Sequence, residues 1–178
     1  MKEVQILDKR FREYIPELAI QKRIDELASH INRDFSGKEV VFVGILNGAF
    51  MFASDLFKKI DLKAQITFIK LASYTGTSSS GAIKELIGWN EDLRNKSVIV
   101  IEDIVDTGVT LEYTVNNLII RNVKEVKVVA LFLKPAACTK NTHIDYIGFE
   151  IPNEFVIGYG LDYNGFGRNL TSVYSVIS

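Results

Sequence analysis

The 178-residue sequence predicts an α/β fold: a mainly parallel central sheet flanked by helices, with a small hood subdomain built from both chain ends. Three observations lead there. Continuously apolar runs of strand length alternate with stretches of helical periodicity, the rhythm of right-handed βαβ crossovers. The composition, 47% apolar and 24% charged, is that of a globular domain with a sizeable core. Beyond Asp145 the pattern changes to short strand-like pieces, which pair in expectation with the first strand-like residues of the chain. One domain over 1–178 is expected, with a core at about 37–144 and a hood from about 1–15 and 145–178.

Taken in order, Val4–Leu7 is strand-like. Pro16 to Phe35 is helical, because Ile24, Leu27, Ala28, Ile31 and Phe35 recur at three- and four-residue spacing, and Gly37 ends it. Glu39–Leu46 is a short, continuously apolar strand, followed by a helix from about Ala49 to Lys59. Gln65–Ala72 is the next strand. After it, nine residues from Ser73 to Gly81 consist mostly of hydroxyl side chains and glycine, which reads as a mobile loop, and a lid is expected over about 73–88. Ser97–Ile101 is β-branched throughout its apolar part, as suits a strand buried on both faces. A helix from about Val109 to Arg121 and a strand at Glu125–Leu133 follow. The hood pieces are Tyr146–Ile151, Phe155–Gly160 and Ser172–Ile177.

Composition also excludes. With 21 basic and 22 acidic residues the net charge is −1, which argues against a nucleic-acid partner bound by wholesale phosphate neutralisation. The single cysteine, Cys138, cannot build a disulfide scaffold and suits a reducing cytoplasm. The longest apolar stretch, Val40–Ala53, is broken by Asn47 and is shorter than the roughly 20 residues of a membrane span. The opening residues are too charged for a secretory leader. A cytoplasmic protein without membrane contact is expected.

The chemistry concentrates in Val98–Thr110. A buried strand runs into two adjacent carboxylates, Glu102 and Asp103; a third, Asp106, follows, and Thr107-Gly108-Val109-Thr110 opens a helix. Such a turn supplies backbone N–H groups, a helix N-terminus, close approach at glycine and flanking hydroxyls, which together suit a phosphate monoester. Adjacent carboxylates suit the vicinal hydroxyls of a ribose or a hard cation such as Mg²⁺. The blander alternative is an acidic helix start with Asp106 as its N-cap. Against it stands the cost of unpaired charge directly after four β-branched residues. Leu46-Asn47-Gly48, between a strand and a helix, is a second place where N–H groups can meet an anion. Gly158-Tyr159-Gly160 lacks the third glycine and the helix of a dinucleotide fingerprint.

The Val98–Thr110 segment resembles the phosphoribosyl pyrophosphate (PRPP) motif of the type I phosphoribosyltransferases. Lys134-Pro135, Phe149–Pro152, Phe155–Tyr163 and Arg168-Asn169-Leu170 resemble the purine-salvage branch, the hypoxanthine(-guanine) phosphoribosyltransferases. The likeness runs from about Val4 to the end of the chain. It implies the type I fold and transfer of 5-phosphoribosyl from PRPP to N9 of hypoxanthine or guanine, giving IMP or GMP and pyrophosphate, with Mg²⁺ as cofactor. It also implies a homodimer or homotetramer.

Carried over residue by residue, the resemblance implies that Glu102 and Asp103 hold the ribose hydroxyls and, with Asp162, supply carboxylate to Mg²⁺. Asp106, Thr107, Gly108, Val109 and Thr110 surround the 5′-phosphate, and Asp106 serves as general base at purine N7 in synthesis and general acid in reverse. Leu46, Asn47, Gly48 and Arg168 meet the pyrophosphate, with Asn47 standing where many relatives carry a basic residue. Lys134 reads the purine O6, Phe155 stacks on the ring, Val156 offers backbone groups to its edge and Asp162 lies beside it. Ser73 and Tyr74 open the lid. Two other readings weigh less. A regulatory PRPP sensor would tend to lose Asp106, Lys134, Tyr74 and Arg168, and a pyrimidine transferase would lack Lys134 and the Phe155–Asp162 block.

Overall fold

The computed structural model describes residues 2–73, 83–140 and 143–177. Its central sheet has six strands: β3 (Glu39–Leu46), β4 (Lys63–Ser73), β5 (Ile83–Ile87), β6 (Ser97–Val105), β7 (Glu125–Leu133) and β8 (Tyr146–Glu150). They lie in the order β5-β4-β3-β6-β7-β8, and every pairing is parallel except β4 with β5. α1 (Glu17–Asp34) and α2 (Phe50–Phe57) cover one face, α3 (Val109–Ile120) the other. The hood is an antiparallel sheet in the order β1-β2-β10-β9, from β1 (Glu3–Ile6), β2 (Lys9–Ile15), β9 (Val156–Ile157) and β10 (Val173–Val176).

The expected helices form where the periodicity puts them. α1 starts after Pro16, whose fixed φ suits a helix start, and buries Ile20, Ile24, Leu27, Ala28 and Ile31 against β3 and its neighbours. β6 is buried from Ser97 to Glu102, so its alternate residues feed two cores: Ile99 and Ile101 toward α1 and α2, Val98 and Val100 toward α3.

Four expectations need correction. β6 does not stop at Ile101; its register with β7 continues to Val105, opposite Leu133, so Glu102 and Asp103 sit inside the sheet. Tyr146–Glu150 belongs to the central sheet rather than the hood, because it pairs parallel with β7. Gly148 lies so close to the Leu131 carbonyl that a side chain would collide with it, and Arg23 donates to the Gly148 and Ile147 carbonyls at 2.9 and 2.8 Å, covering the outer edge. In the hood, Phe155–Gly160 contracts to Val156–Ile157, while the charged run Lys9–Ile15 forms a strand that its sequence disguises. The expected lid, 73–88, is a hairpin at its stem: Ser73 closes β4 opposite Ile83, and Ile83–Ile87 is β5. Tyr74 and the rest of 74–82 lie outside the described residues.

The parallel strands β3, β6 and β7 end together, at Leu46, Val105 and Leu133. Open parallel sheets present their ligand sites at these carboxyl ends.

Candidate active site

The turn between β6 and α3 leaves helix amides free. Gly108 is the N-cap of α3, in the left-handed region at φ 82°, and no side chain caps the helix. Thr107 Oγ1 comes only to 3.5 Å of the Val109 amide, and Asp106 is not the cap. The helix-cap alternative therefore fails. Glu102, Asp106, Thr107, Gly108 and Thr110 line a hollow of about 80 Å³ above these amides, room for a phosphate-sized group. Residues 134–140 buttress the turn. The Thr139 amide donates to the Thr107 carbonyl at 3.1 Å, and Cys138 and Lys140 pack against Gly108.

Behind the turn lies the carboxylate pair. Glu102 is 7% exposed and its Oε2 has no hydrogen-bond partner. Burial pushes Glu102 well above the usual carboxylate range, and the adjacent Asp103 adds to the shift. Burial also lifts Asp103 to about 6, opposed by backbone N–H groups at Ile104 and its own position and by the charge of Arg168. An unpartnered buried carboxyl oxygen is costly, and among the described residues Glu102 Oε2 is the one that carries that cost. Gly48 closes over it: a β-carbon there would run into the Asp103 carboxylate. The Leu46–Asn47 peptide leading into Gly48 is cis.

Lys134 follows β7 and is 7% exposed, far from the solvated lysine that residue type alone suggests. Its Nζ donates to Asp106 Oδ2 at 3.2 Å, while the Asp106 side chain is 50% exposed. A buried ammonium thus stands beside an accessible carboxylate at the turn between β6 and α3, the two having opposite hydrogen-bonding character.

The hood supplies the remaining groups. Arg168 Nη2 pairs with Asp162 Oδ1 at 2.6 Å, and its Nη1 donates to the Gly160 carbonyl at 2.7 Å. Asp162 Oδ2 accepts from the Gly165 amide, so both Asp162 oxygens are engaged within the chain. Among the described residues, no three His, Cys, Asp or Glu side chains converge on a metal position; Glu102, Asp103 and Asp162 do not form a closed cage. Phe155 is 43% exposed and held edge-on by Tyr163 at 5.8 Å, with Phe11 at 6.3 Å and Lys9 Nζ 5.7 Å from its centroid. Val156 is buried in β9, opposite Ser175.

Gly160 was not among the residues expected at the site, yet it seats the hood on the core: a β-carbon at Gly160 would strike the Gly48 carbonyl. Gly158, Tyr159 and Gly160 all have positive φ, at 96°, 49° and 99°. The Gly-x-Gly spacing carries that backbone signal, and no described helix opens behind it.

Residues 13–164 match the phosphoribosyl transferase domain model. A type I phosphoribosyltransferase is the class that this sheet, with its acidic strand and phosphate turn, defines. The chain is 39% identical over 166 residues to the hypoxanthine phosphoribosyltransferase of Escherichia coli K12, covering 92% of this chain and 93% of that one. It is 42% identical over 157 residues to the bifunctional protein TilS/HprT of Listeria monocytogenes, covering 88% of this chain but only 24% of the length of that relative. A crystal structure of a hypoxanthine phosphoribosyltransferase from Staphylococcus aureus superposes with a TM-score of 0.89 at 38% identity, over 93% of this chain and 91% of that one. The chain belongs to the phosphoribosyl transferase family, in its hypoxanthine(-guanine) phosphoribosyltransferase branch. No described helix is long and apolar enough to cross a membrane.

Proposed function

We propose that this chain transfers the 5-phosphoribosyl group from PRPP to N9 of hypoxanthine, with guanine as a second base, giving IMP or GMP and pyrophosphate. The observation that carries the reading is the buried Lys134 ammonium 3.2 Å from the accessible Asp106 carboxylate. A 6-oxopurine offers a matching edge: an N7–H donor for the carboxylate and an O6 acceptor for the ammonium. Adenine presents an amino group where O6 would be, and an ammonium repels it.

The α3 amides and the hydroxyls of Thr107 and Thr110 hold the 5′-phosphate. Glu102 and Asp103 accept hydrogen bonds from the ribose hydroxyls, which answers the orphaned Glu102 Oε2. As the C1′–O bond breaks, its electron pair leaves with pyrophosphate and C1′ gains oxocarbenium character. The N9 lone pair then forms the bond to C1′ while Asp106 takes the proton from N7; in reverse, Asp106 returns it. Leu46–Gly48 and Arg168 receive the pyrophosphate, Phe155 lies against the purine face and Val156 meets its edge.

Mg²⁺ suits the hard carboxylate oxygens of Glu102 and Asp103. Asp162, whose oxygens are engaged by Arg168 and Gly165, would reach the ion through water, and this open arrangement suits an ion that arrives with substrate phosphates. Bound there, it would neutralise charge on the leaving group. A cytoplasmic location accords with the single thiol. A homodimer or homotetramer is the proposed assembly. Phe50, 42% exposed on α2, is available to an interface, whereas Phe52 is core, and sedimentation of the purified chain is the check.

Initial rates with PRPP and Mg²⁺ against hypoxanthine, guanine, xanthine, adenine and uracil test the reading. Turnover of 6-oxopurines alone supports it and ranks the bases by their C2 group. No turnover with retained PRPP binding would make the chain a sensor instead.

A further inference from the structure

Tyr159 is buried, 2% exposed, in a segment otherwise devoted to the site. Its hydroxyl donates to Asp55 Oδ2 on α2 at 2.5 Å and accepts from Gln21 Nε2 on α1 at 3.2 Å; Gln21 also donates to Asp55 at 2.9 Å. Burial, with the Asp55 carboxylate beside it, raises the hydroxyl pKa and keeps it a donor. The backbone around Tyr159 is equally committed. Its amide donates to the Leu170 carbonyl at 2.8 Å, and the Gly160 amide to the Arg168 carbonyl at 2.9 Å. Gly160 in turn rests on the Gly48 carbonyl and receives Arg168 Nη1.

The base-facing part of the same segment has separate support, since Val156 and Ile157 pair with β10. The two ends of residues 155–161 are therefore anchored independently: one to the hood sheet, the other to α2, the helix that begins just after Leu46–Gly48.

We infer that Tyr159 is a positioning residue for the pyrophosphate side of the site: its bond to Asp55 clamps Gly160 onto the Gly48 loop and holds Arg168 at the mouth of that loop. This rests on the phosphoribosyl-transfer reading above. Tyr159 touches no reacting atom and acts through Gly48, Gly160 and Arg168. Loosening the clamp weakens the grip on PRPP and pyrophosphate while leaving base recognition intact.

Tyr159→Phe removes only the hydroxyl. The expected result is a rise in KM for PRPP, and for pyrophosphate in the reverse reaction, of roughly three- to tenfold, the scale of the net contribution of one ordinary hydrogen bond felt at the site through its neighbours. KM for hypoxanthine should stay within about twofold, the margin left to contacts anchored elsewhere. Asp55→Ala should give the same asymmetric shift, and the double variant should add little to either single change, because both remove the same link. Equal rises in both KM values, unchanged KM for PRPP, or additive effects in the double variant would each overturn the clamp and leave Tyr159 a packing residue. Calorimetric binding of PRPP in Mg²⁺ buffer to the parent and Tyr159→Phe reads the clamp without turnover. Loss of the parent's turnover alone would thus count against the transfer reading, whereas an unchanged PRPP affinity would count against Tyr159.

Discussion

Replacing Lys134 with Met separates what its charge does for the reaction from what it does for the fold. The side chain is 9% exposed and its ionic partner among the described residues, Asp106, is 50% exposed. Without the ammonium, Asp106 stays largely hydrated, so the lost ion pair costs at most about 1 kcal/mol. Met keeps the buried aliphatic stem and removes a charge whose desolvation opposes folding, so net stability should be unchanged or rise by about 1–2 kcal/mol. The reaction should move the other way. A charge-assisted hydrogen bond to O6 contributes about 1.5–3 kcal/mol, so kcat/KM for hypoxanthine should fall about 10- to 150-fold. Adenine, no longer facing an ammonium, should gain relative to hypoxanthine. Thermal denaturation together with initial rates on both bases gives the two readouts. A destabilised protein with intact selectivity for hypoxanthine would refute the reasoning, because Lys134 would then be a structural cation and the base would be read elsewhere.

Asp106→Asn should slow IMP synthesis by about 10²–10⁴-fold while PRPP still binds, since the amide cannot accept the N7 proton; unchanged rates would remove Asp106 from the proton transfer. Asp103→Asn tests the buried acid pair. Burial raises the folded-state pKa of Asp103 to about 6, above the ordinary carboxylate range, so the folded protein binds the proton more tightly than the unfolded chain. Its contribution to stability is thus intact below pH 4 and lost as pH rises through about 6. The ligand-free variant should be more stable than the parent by about 1–2 kcal/mol at pH 7.5 and equal to it near pH 4; a gain independent of pH would contradict this. Gly160→Ala must place a β-carbon against the Gly48 carbonyl at a φ of 99°, and should cost more than about 1 kcal/mol in denaturant titrations, together with PRPP affinity. A neutral Gly160→Ala would mean that the hood does not seat there.

Much of the site was legible before any coordinates because its parts are local. Glu102, Asp103, Asp106 and the Thr107–Thr110 turn are contiguous, and a β-branched run ahead of them announces burial. Lys134 illustrates the opposite case. Its type and neighbours point to solvent, and only the pairing of β7 with β6, which brings it to Asp106 from 28 residues away, makes it a buried cation beside a carboxylate. Tyr146–Glu150 misled for a related reason: five residues of mixed character carry no record of which sheet accepts them.

The sequence by itself determined the α/β class, the buried faces of α1 and β6, and the gathering of three carboxylates and a Thr-Gly-x-Thr turn at one strand end. Each depends on spacing within a few residues, where periodicity reports directly which side meets the core. The tertiary structure decided what spans the chain: β8 in the central sheet, Gly160 on Gly48, and Tyr159 bonded to Asp55 across 104 residues. Those contacts depend on which distant segments pack together, and local patterning of apolar and polar residues holds no information about that choice.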